Sequence, residues 1–316
     1  MRSAKTNATE ETMHPEEIIA RILELKEEKD ACILAHNYQI PEIQDLADFT
    51  GDSLELARQA TRVERSLIVF CGVDFMAESA AVLNPEKTVL IPSLQARCPM
   101  AAMATAEAVR EKRWEYPEAA VCSYVNTSAE VKAESDVCCT SSSGVRVVRA
   151  LDERQVIFVP DRNLGHYIST QTDKEMILWP GFCIVHERLT LEEVLEARRQ
   201  HPRAELLVHP ECRPEVVAVA DAVLSTSGML RHARQSSAEA FIIATEIGLL
   251  HPLRKQNPDK RFYPAASHMV CQMMKKITLE NLLEALEKGQ YVVRVPEETR
   301  QRARRALDRM LEIVER

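Results

Sequence analysis

Three of the nine cysteines lie at long and nearly equal intervals along the chain. Cys98 and Cys183 are 85 residues apart, and Cys271 follows 88 residues later. Each is expected in a loop or at the start of a helical stretch, where a thiolate can reach a central site. Cysteine is also a common small hydrophobe of protein cores. Spacing alone therefore leaves metal ligand and core residue as open alternatives.

The other six cysteines are weaker candidates for metal ligands. Three fall within predicted strands and are interpreted as core residues: Cys32, Cys71 and Cys122. Cys138 and Cys139 are adjacent and would point to opposite faces of a strand, while Cys212 is ambiguous. No C-x2-C pair occurs in the sequence, so the zinc-ribbon and ferredoxin patterns are absent.

Polar clusters that follow predicted strands form a second set of candidates. Ligands of α/β sheets bind beyond the carboxyl ends of strands, and Ser or Thr turns at helix starts can hold phosphate or carboxylate oxygens. The same residues also act as ordinary helix N-caps. Three first strands run into His36-Asn37-Tyr38, Tyr124-Val125-Asn126 and His209-Pro210-Glu211. Two second strands end in Thr140–Gly144 and Ser225–Gly228, and Cys71–Asp74 is interpreted as their equivalent in the first group.

These clusters require strands that alternate with helices. A first helix opens at Pro15, with apolar residues at helical spacing after it. Nine strands in three groups are predicted to form parallel sheets covered on both faces. The three groups and their polar clusters resemble one another with a period of about 85 residues, which predicts three copies of a small α/β unit. The predicted strands are 31–35, 66–71, 87–92, 119–125, 135–139, 155–160, 204–209, 222–225 and 240–245.

Composition is that of a globular protein with a substantial core. Apolar residues make up 46% and charged residues 28% of 316. A net charge of −8 argues against nucleic-acid binding. No apolar run is long enough to span a bilayer, and the polar N-terminus lacks the core of a signal peptide. The chain is therefore expected to stay in a reducing cytoplasm with no membrane partner, and the odd number of cysteines agrees with the absence of a disulfide framework.

Several segments, taken in order, resemble the quinolinate synthase family. The resemblance runs from about Ile19 to Leu286, which is nearly the whole chain. One such segment would carry little weight, but the ordered set is specific. The segments are Ala35–Gln39, Gly51–Ala57, Val121–Asn126, Trp179–Cys183, His209–Cys212 and Thr245–His251.

The resemblance implies a particular reaction. Members of this family join iminoaspartate to dihydroxyacetone phosphate, release phosphate and water, and form quinolinate, a precursor of NAD. Their three similar α/β domains surround a central site, in agreement with the repeat described above. The implied partners are these two small substrates and the enzyme that produces iminoaspartate.

The resemblance also implies a [4Fe–4S] cluster held by one cysteine from each domain. By position, the ligands are Cys98, Cys183 and Cys271, and Cys271 stands alone where some members carry a C-x2-C-x2-C arrangement. Three thiolates on four irons leave one iron open, and an open iron can act as a Lewis acid during loss of water. Electron-transfer clusters normally have four protein ligands, so three ligands favour catalysis.

The repeat and the cysteine positions together give expected domain boundaries. A polar extension covers residues 1–17, and the three units cover 18–98, 99–183 and 184–271. Residues 272–316 are helical in pattern from Thr278 onward. We expect this last segment to pack back on the first unit.

Matching motifs imply roles for residues at the strand ends. Catalytic candidates are Tyr38, His186 and Glu211, since isomerising the triose, forming the imine and eliminating water all move protons. His186 could instead be a structural histidine. Substrate binding is expected of eight residues, three of them (Ser53, Ser141 and Thr226) as phosphate or carboxylate contacts at helix starts. The eight are His36, Ser53, Tyr124, Asn126, Ser141, His209, Glu211 and Thr226.

Two rival functions remain open from the residues. One is another [4Fe–4S] hydro-lyase acting on a small carboxylate, which would not require phosphate-binding turns. The other is a non-catalytic iron–sulfur carrier or sensor, which would not require His36, Tyr38 or Glu211. A spectroscopic response to a triose phosphate would count against the second rival.

Overall fold

Three parallel four-stranded sheets, each flanked by helices, form the scaffold. They are seen in a computed structural model that describes residues 13–315. The predicted fold class, three similar αβα units, is confirmed. Residues 1–12 of the predicted polar extension lie outside the described residues. Within residues 13–315, no helix is both long and apolar enough to cross a membrane.

The three units share one order of elements, followed by two C-terminal helices. The first unit contains α1 (Pro15–Glu28), β1 (Ala31–His36), α2 (Pro41–Leu46), β2 (Phe49–Gly51), α3 (Ser53–Arg62), β3 (Leu67–Cys71), α4 (Asp74–Leu83) and β4 (Thr88–Leu90). The second contains α5 (Ala106–Glu115), β5 (Ala120–Tyr124), α6 (Ala129–Ala133), β6 (Val137–Cys139), α7 (Gly144–Arg149), β7 (Gln155–Val159), α8 (Arg162–Ser169) and β8 (Glu175–Leu178). The third contains α9 (Ile184–Glu187), α10 (Leu191–Gln200), β9 (Glu205–Val208), α11 (Pro214–Val217), β10 (Ala222–Val223), α12 (Thr226–Gln235), β11 (Ala240–Ala244), α13 (Leu250–Gln256) and β12 (Arg261–Pro264). The chain ends with α14 (Leu279–Lys288) and α15 (Glu297–Glu315), and short 3-10 helices cover 101–103, 247–249 and 274–276.

Every sheet has the same topology, in which the first strand lies between the second and the third and the fourth is at the far edge. The two inner strands are apolar and almost wholly buried, as expected for parallel strands covered on both faces. One carboxylate per unit also ties the second strand to the first. Its oxygen accepts the backbone N–H of a first-strand residue, and the pairs are Asp48 with Ile33 (2.8 Å), Asp136 with Val121 (2.7 Å) and Asp221 with Leu206 (2.7 Å).

All nine predicted strands are present, and three further strands were missed in the sequence: β2, β8 and β12. β2 has only three residues, two of them exposed, while β8 and β12 are edge strands with polar or exposed residues. These strands bury too little side chain to give an apolar pattern. The missed β2 also makes one predicted equivalence wrong. The structural equivalent of the turns after β6 and β10 is Asp52-Ser53, which follows β2, and not Cys71–Asp74, which follows β3.

The C-terminal helices pack on two units. α14 lies against α1 and β3 of the first unit, whereas α15 lies mainly against α6 and β6 of the second unit and also contacts α4 and α7. The first two units and both C-terminal helices share one apolar core, while the third unit has a separate core on each face of its sheet. The domain boundaries at 98, 183 and 271 stay a prediction.

The packing of α15 gives a test of what holds the first two units together. Leu307 is fully buried on this helix. We expect Leu307→Ala to lower the free energy of unfolding by about 2–5 kcal/mol, because it leaves a cavity in the shared core. Urea unfolding followed by circular dichroism measures the change. Leu195→Ala, at an exposed position of α10, should change the free energy of unfolding by less than about 0.5 kcal/mol. Equal effects of the two substitutions would contradict the role of α15 in holding the first two units together.

Candidate functional site

One cavity lies where the carboxyl ends of the three sheets face each other, and all of the candidate residues from the sequence line it. Strand ends of every unit contribute to the wall, because parallel strands direct their carboxyl ends to one edge of a sheet. The lining candidates are His36, Tyr38, Ser53, Cys98, Tyr124, Asn126, Ser141, Cys183, His186, His209, Glu211, Thr226 and Cys271.

Three thiols of this cavity are distinct from the other cysteines of the chain. Cys98, Cys183 and Cys271 are partly exposed, whereas the other six cysteines are buried. The wall around the three thiols is largely apolar, with Val73, Met100, Val185 and Met274 among its residues. Three accessible thiols facing one apolar space fit a cluster held by three protein ligands. No fourth cysteine lines the cavity between residues 13 and 315.

Each of the three cysteines opens a helical turn. The backbone carbonyl of each accepts the N–H four residues further on, from Ala102, Glu187 and Lys275. Burial raises the pKa of all three thiols above the usual range. In each case this rise is opposed by the backbone N–H group three residues after the cysteine. Turns of this kind favour a thiolate once a metal replaces the proton.

The ends of the first strands carry pairs of polar residues two positions apart. Equivalent positions in the three units are 88 and 85 residues apart in the chain. They hold different side chains, so the repeat places three different pairs at one cavity. The pairs are His36 with Tyr38, Tyr124 with Asn126, and His209 with Glu211.

Two of the histidines are neutral hydrogen-bond donors toward the cavity. Nδ1 of His36 accepts the backbone N–H of Tyr38 (3.1 Å), and Nδ1 of His209 accepts that of Glu211 (3.4 Å). A ring nitrogen that accepts an N–H carries no proton, so Nε2 carries it in both rings. Burial lowers the pKa of His36 and of His209 to about 3, although the charge of Glu211 opposes this shift. Both rings are therefore neutral at neutral pH.

The third histidine belongs to a chain of polar groups that joins the third unit to the first. Nδ1 of His186 lies 2.7 Å from Oε2 of Glu211, a close contact that is not aligned as a hydrogen bond. Nε2 of His186 lies 2.8 Å from Oγ1 of Thr245, which lies 2.6 Å from the hydroxyl of Tyr38. His186 and Glu211 are almost fully buried. The carboxylate is thus connected to Tyr38 through two intervening side chains.

Glu211 is the negative centre of this chain. Burial, the largest single effect, would raise its pKa, but His186, His209 and the hydroxyl of Tyr124 together outweigh burial and hold that pKa below its usual range. The pKa values of Tyr38 and Tyr124 are raised well above the usual value, first by burial and then by the charge of Glu211. Both hydroxyls therefore keep their protons at neutral pH. Cys183, His186 and Glu211 also place one ligand atom each within 4.8 Å of one another, so this group could hold a metal ion.

The predicted helix starts meet the cavity at equivalent positions of the three units. Ser53 is the first residue of α3, Thr226 is the first residue of α12, and Ser141 lies in the turn before α7. N-caps of α3 and α12 are the preceding Asp52 and Ser225. Among residues 13–315 no Lys or Arg lines the cavity. An anion bound there would depend on hydroxyl and backbone N–H groups.

Thr245 and Lys275 are site residues that the sequence analysis did not single out. Thr245 follows β11 and is buried; it begins the Thr245–His251 segment of the resemblance, which gave it no individual role. Lys275 forms an ion pair of 3.0 Å with Glu246 and donates to the backbone carbonyl of Tyr38. It therefore joins the Cys271 turn to the loop that carries Tyr38.

Comparison with known proteins gives a consistent result. The family model described as NadA, quinolinate synthetase A protein, matches residues 20–312. A quinolinate synthase of Methanoregula boonei is 56% identical over 92% of this chain and 96% of its own length. A quinolinate synthase of Thermodesulfovibrio yellowstonii is 52% identical over 94% of this chain and 98% of its own length. Quinolinate synthase 2 of Methanosarcina acetivorans is 51% identical over 94% of this chain and 96% of its own length.

The exposure of the thiols predicts their reactivity in metal-free, folded protein. We expect iodoacetamide to modify Cys98, Cys183 and Cys271 well before the six buried cysteines, as measured by peptide mass spectrometry. Because burial raises the pKa of the three thiols, little thiolate is present at neutral pH. Their alkylation rates should therefore keep rising above about pH 8.5, where the alkylation rate of a free thiol begins to level off. Modification of Cys212 or Cys71 at a similar rate would contradict the structure of the cavity.

Proposed function

The chain belongs to the quinolinate synthase family, and on that premise we propose that it condenses iminoaspartate with dihydroxyacetone phosphate to quinolinate, with release of phosphate and water. We propose further that Cys98, Cys183 and Cys271 hold a [4Fe–4S] cluster. The observation that carries this proposal is that the three partly exposed thiols share one cavity with the polar residues of all three units.

The three thiols come from turns of different units and would bind the cluster only when the units are assembled around the cavity. A cluster with three thiolates would supply one iron with an open position, a Lewis acid for an oxygen that is lost as water. The largely apolar wall beside the thiols would limit the access of water to that position.

The turns at Ser53, Ser141 and Thr226 are proposed to bind the phosphate and carboxylate oxygens of the substrates. Each offers a hydroxyl and a backbone N–H at a helix start or in the turn before one, where negative charge is stabilised. Nε2–H of His36 and of His209 would donate to further substrate oxygens. Neutral donors suit this site, because a fixed positive charge would bind a dianionic phosphate tightly and slow its release.

Tyr38, Thr245, His186 and Glu211 are proposed to move protons as one relay. Tyr38 would take a proton from the substrate at its hydroxyl oxygen while passing its own proton to Oγ1 of Thr245. Thr245 would in turn pass its proton to Nε2 of His186, and the imidazolium formed would be stabilised by Glu211 at 2.7 Å. The reverse sequence returns a proton to a leaving hydroxyl. Tyr38 and His186 thus act as both acid and base.

Supply of the imine substrate has a chemical requirement, since imines hydrolyse in water. We propose that an enzyme producing iminoaspartate by oxidation of the amino acid acts close to this one.

The nine free cysteines, three of them accessible, would be kept reduced in the cytoplasm. We propose that compartment as the place of action.

The activity is tested with anaerobic, iron-loaded protein, freshly generated iminoaspartate and dihydroxyacetone phosphate. We expect quinolinate to form with equal loss of the triose phosphate. Cys98→Ala, Cys183→Ala and Cys271→Ala should each abolish the absorption near roughly 400 nm and the activity, since each removes a ligand, whereas Cys32→Ser should change neither. Absence of quinolinate from fully loaded protein would overturn the proposed reaction and lead to the hydro-lyase alternative.

The relay is tested by removing the Thr245 hydroxyl. Thr245→Val preserves shape but breaks both contacts, so kcat should fall at least roughly tenfold while the cluster absorption and the KM for the triose phosphate stay close to those of the parent. Thr245→Ser keeps the hydroxyl and should retain most of the activity. Equal kcat values for the parent and Thr245→Val would remove Thr245 from the mechanism.

A further inference from the structure

The three cavity cysteines are each held by a carboxylate from the same position of their own unit. The backbone N–H of each cysteine donates to one carboxylate oxygen at 3.1 Å. These carboxylates follow the third strand of each unit, β3, β7 and β11, by two or three residues. The pairs are Cys98 with Asp74, Cys183 with Asp161, and Cys271 with Glu246.

A second contact accompanies each carboxylate. The backbone carbonyl two residues before each cysteine accepts a backbone N–H from the carboxylate residue itself or from the residue after it. Every cysteine loop is therefore fixed at two points to the end of the third strand. The donor–acceptor pairs are Asp74 with Ala96 (2.8 Å), Arg162 with Gly181 (2.8 Å) and Ile247 with Met269 (2.9 Å).

The attachment is the same although the loops differ. Cys98 lies eight residues after β4, Cys183 five residues after β8 and Cys271 seven residues after β12. The third carboxylate belongs to a glutamate rather than an aspartate and is one methylene longer. Loops of unequal length with the same two-point attachment indicate that the attachment, and not the loop path, sets the position of the thiol.

Asp161 and Glu246 are fully buried and have all their oxygens engaged. Oδ1 of Asp161 accepts the N–H groups of Asn163 (2.9 Å) and Leu164 (2.8 Å) at the start of α8. Oε2 of Glu246 accepts the N–H of Gly248 (2.7 Å), and Oε1 also pairs with Lys275. One oxygen in each thus serves the helical turn after the strand, while the other serves the cysteine.

We infer that Asp74, Asp161 and Glu246 are positioning residues that fix the three thiols before the cluster binds. The inference rests on the proposed function only in taking the thiols as cluster ligands. Because each cysteine N–H is held by a carboxylate, the backbone from which the thiol projects toward the cavity is fixed in position. The three thiols would then be preorganised at the spacing that a cluster requires.

Asp161→Asn separates the two tasks of the side chain. Asn is as good an N-cap as Asp, so its oxygen can remain on Asn163 and Leu164. Its NH2 group then faces the N–H of Cys183, and two donors cannot bond. We expect the Cys183 loop to loosen while the helix start is retained. Glu246→Gln should do the same to Cys271.

The first readout uses cluster-free, folded protein and compares the alkylation rates of the three cysteines within one chain. Asp161→Asn should raise the rate at Cys183 at least about fivefold and leave Cys98 and Cys271 unchanged. Glu246→Gln should raise the rate at Cys271 alone. Unchanged rates at the paired cysteine, or equal increases at all three, would overturn the inference. This readout does not depend on whether the protein makes quinolinate.

The second readout follows iron release from loaded, anaerobic protein to a chelator. Both variants should release iron at least about fivefold faster than the parent. The matched control is Asp136→Asn, which removes a carboxylate that accepts the backbone N–H of Val121, near the start of β5 and so at the end of that strand opposite the cavity. If Asp136→Asn releases iron as fast as Asp161→Asn, the effect is general destabilisation and the positioning role is wrong.

Discussion

The parallel pairing of the four strands within each sheet is the constraint on which the site depends. Each sheet presents the carboxyl ends of four strands at one edge, and the three edges meet at a single cavity. First strands supply the polar pairs, second strands lead to the hydroxyl turns and third strands carry the anchoring carboxylates. The loops after the fourth strands carry the cysteines. No unit alone holds more than one cysteine of this cavity, so the site exists only in the assembled chain.

Burial decides the protonation states in this cavity. It keeps His36 and His209 neutral and holds the protons on Tyr38 and Tyr124, so most polar groups at the site act as uncharged donors. Glu211 stays charged, because His186, His209 and the hydroxyl of Tyr124 together offset the cost of burying its charge. Asp52 and Glu246 also line the cavity, and Glu246 is paired with Lys275. Neutral histidine and tyrosine donors suit substrates that are themselves anions, since they bind them through directed hydrogen bonds.

Much of this arrangement could be predicted from the sequence. The long apolar strands in three similar groups, and the polar clusters that follow them, were enough to expect three units and a shared site. The edge strands could not be predicted, because β2, β8 and β12 bury few side chains and so carry no clear apolar pattern. Thr245 was missed for another reason: its role depends on contacts with residues 59 and 207 positions away, and no local pattern records such contacts.

The repeat also shows which parts of the site need identical chemistry and which need different chemistry. Equivalent positions hold the same kind of group where the task is the same in each unit: a hydroxyl at Ser53, Ser141 and Thr226, or a thiol at the three cysteines. The first-strand pairs differ in every unit, and the contact of His186 with Glu211 belongs to the third unit. A threefold scaffold would by itself make three equal faces. The proposed proton transfer between two unlike substrates needs an acid, a base and a donor in different places, and the divergence of the first-strand pairs would provide them.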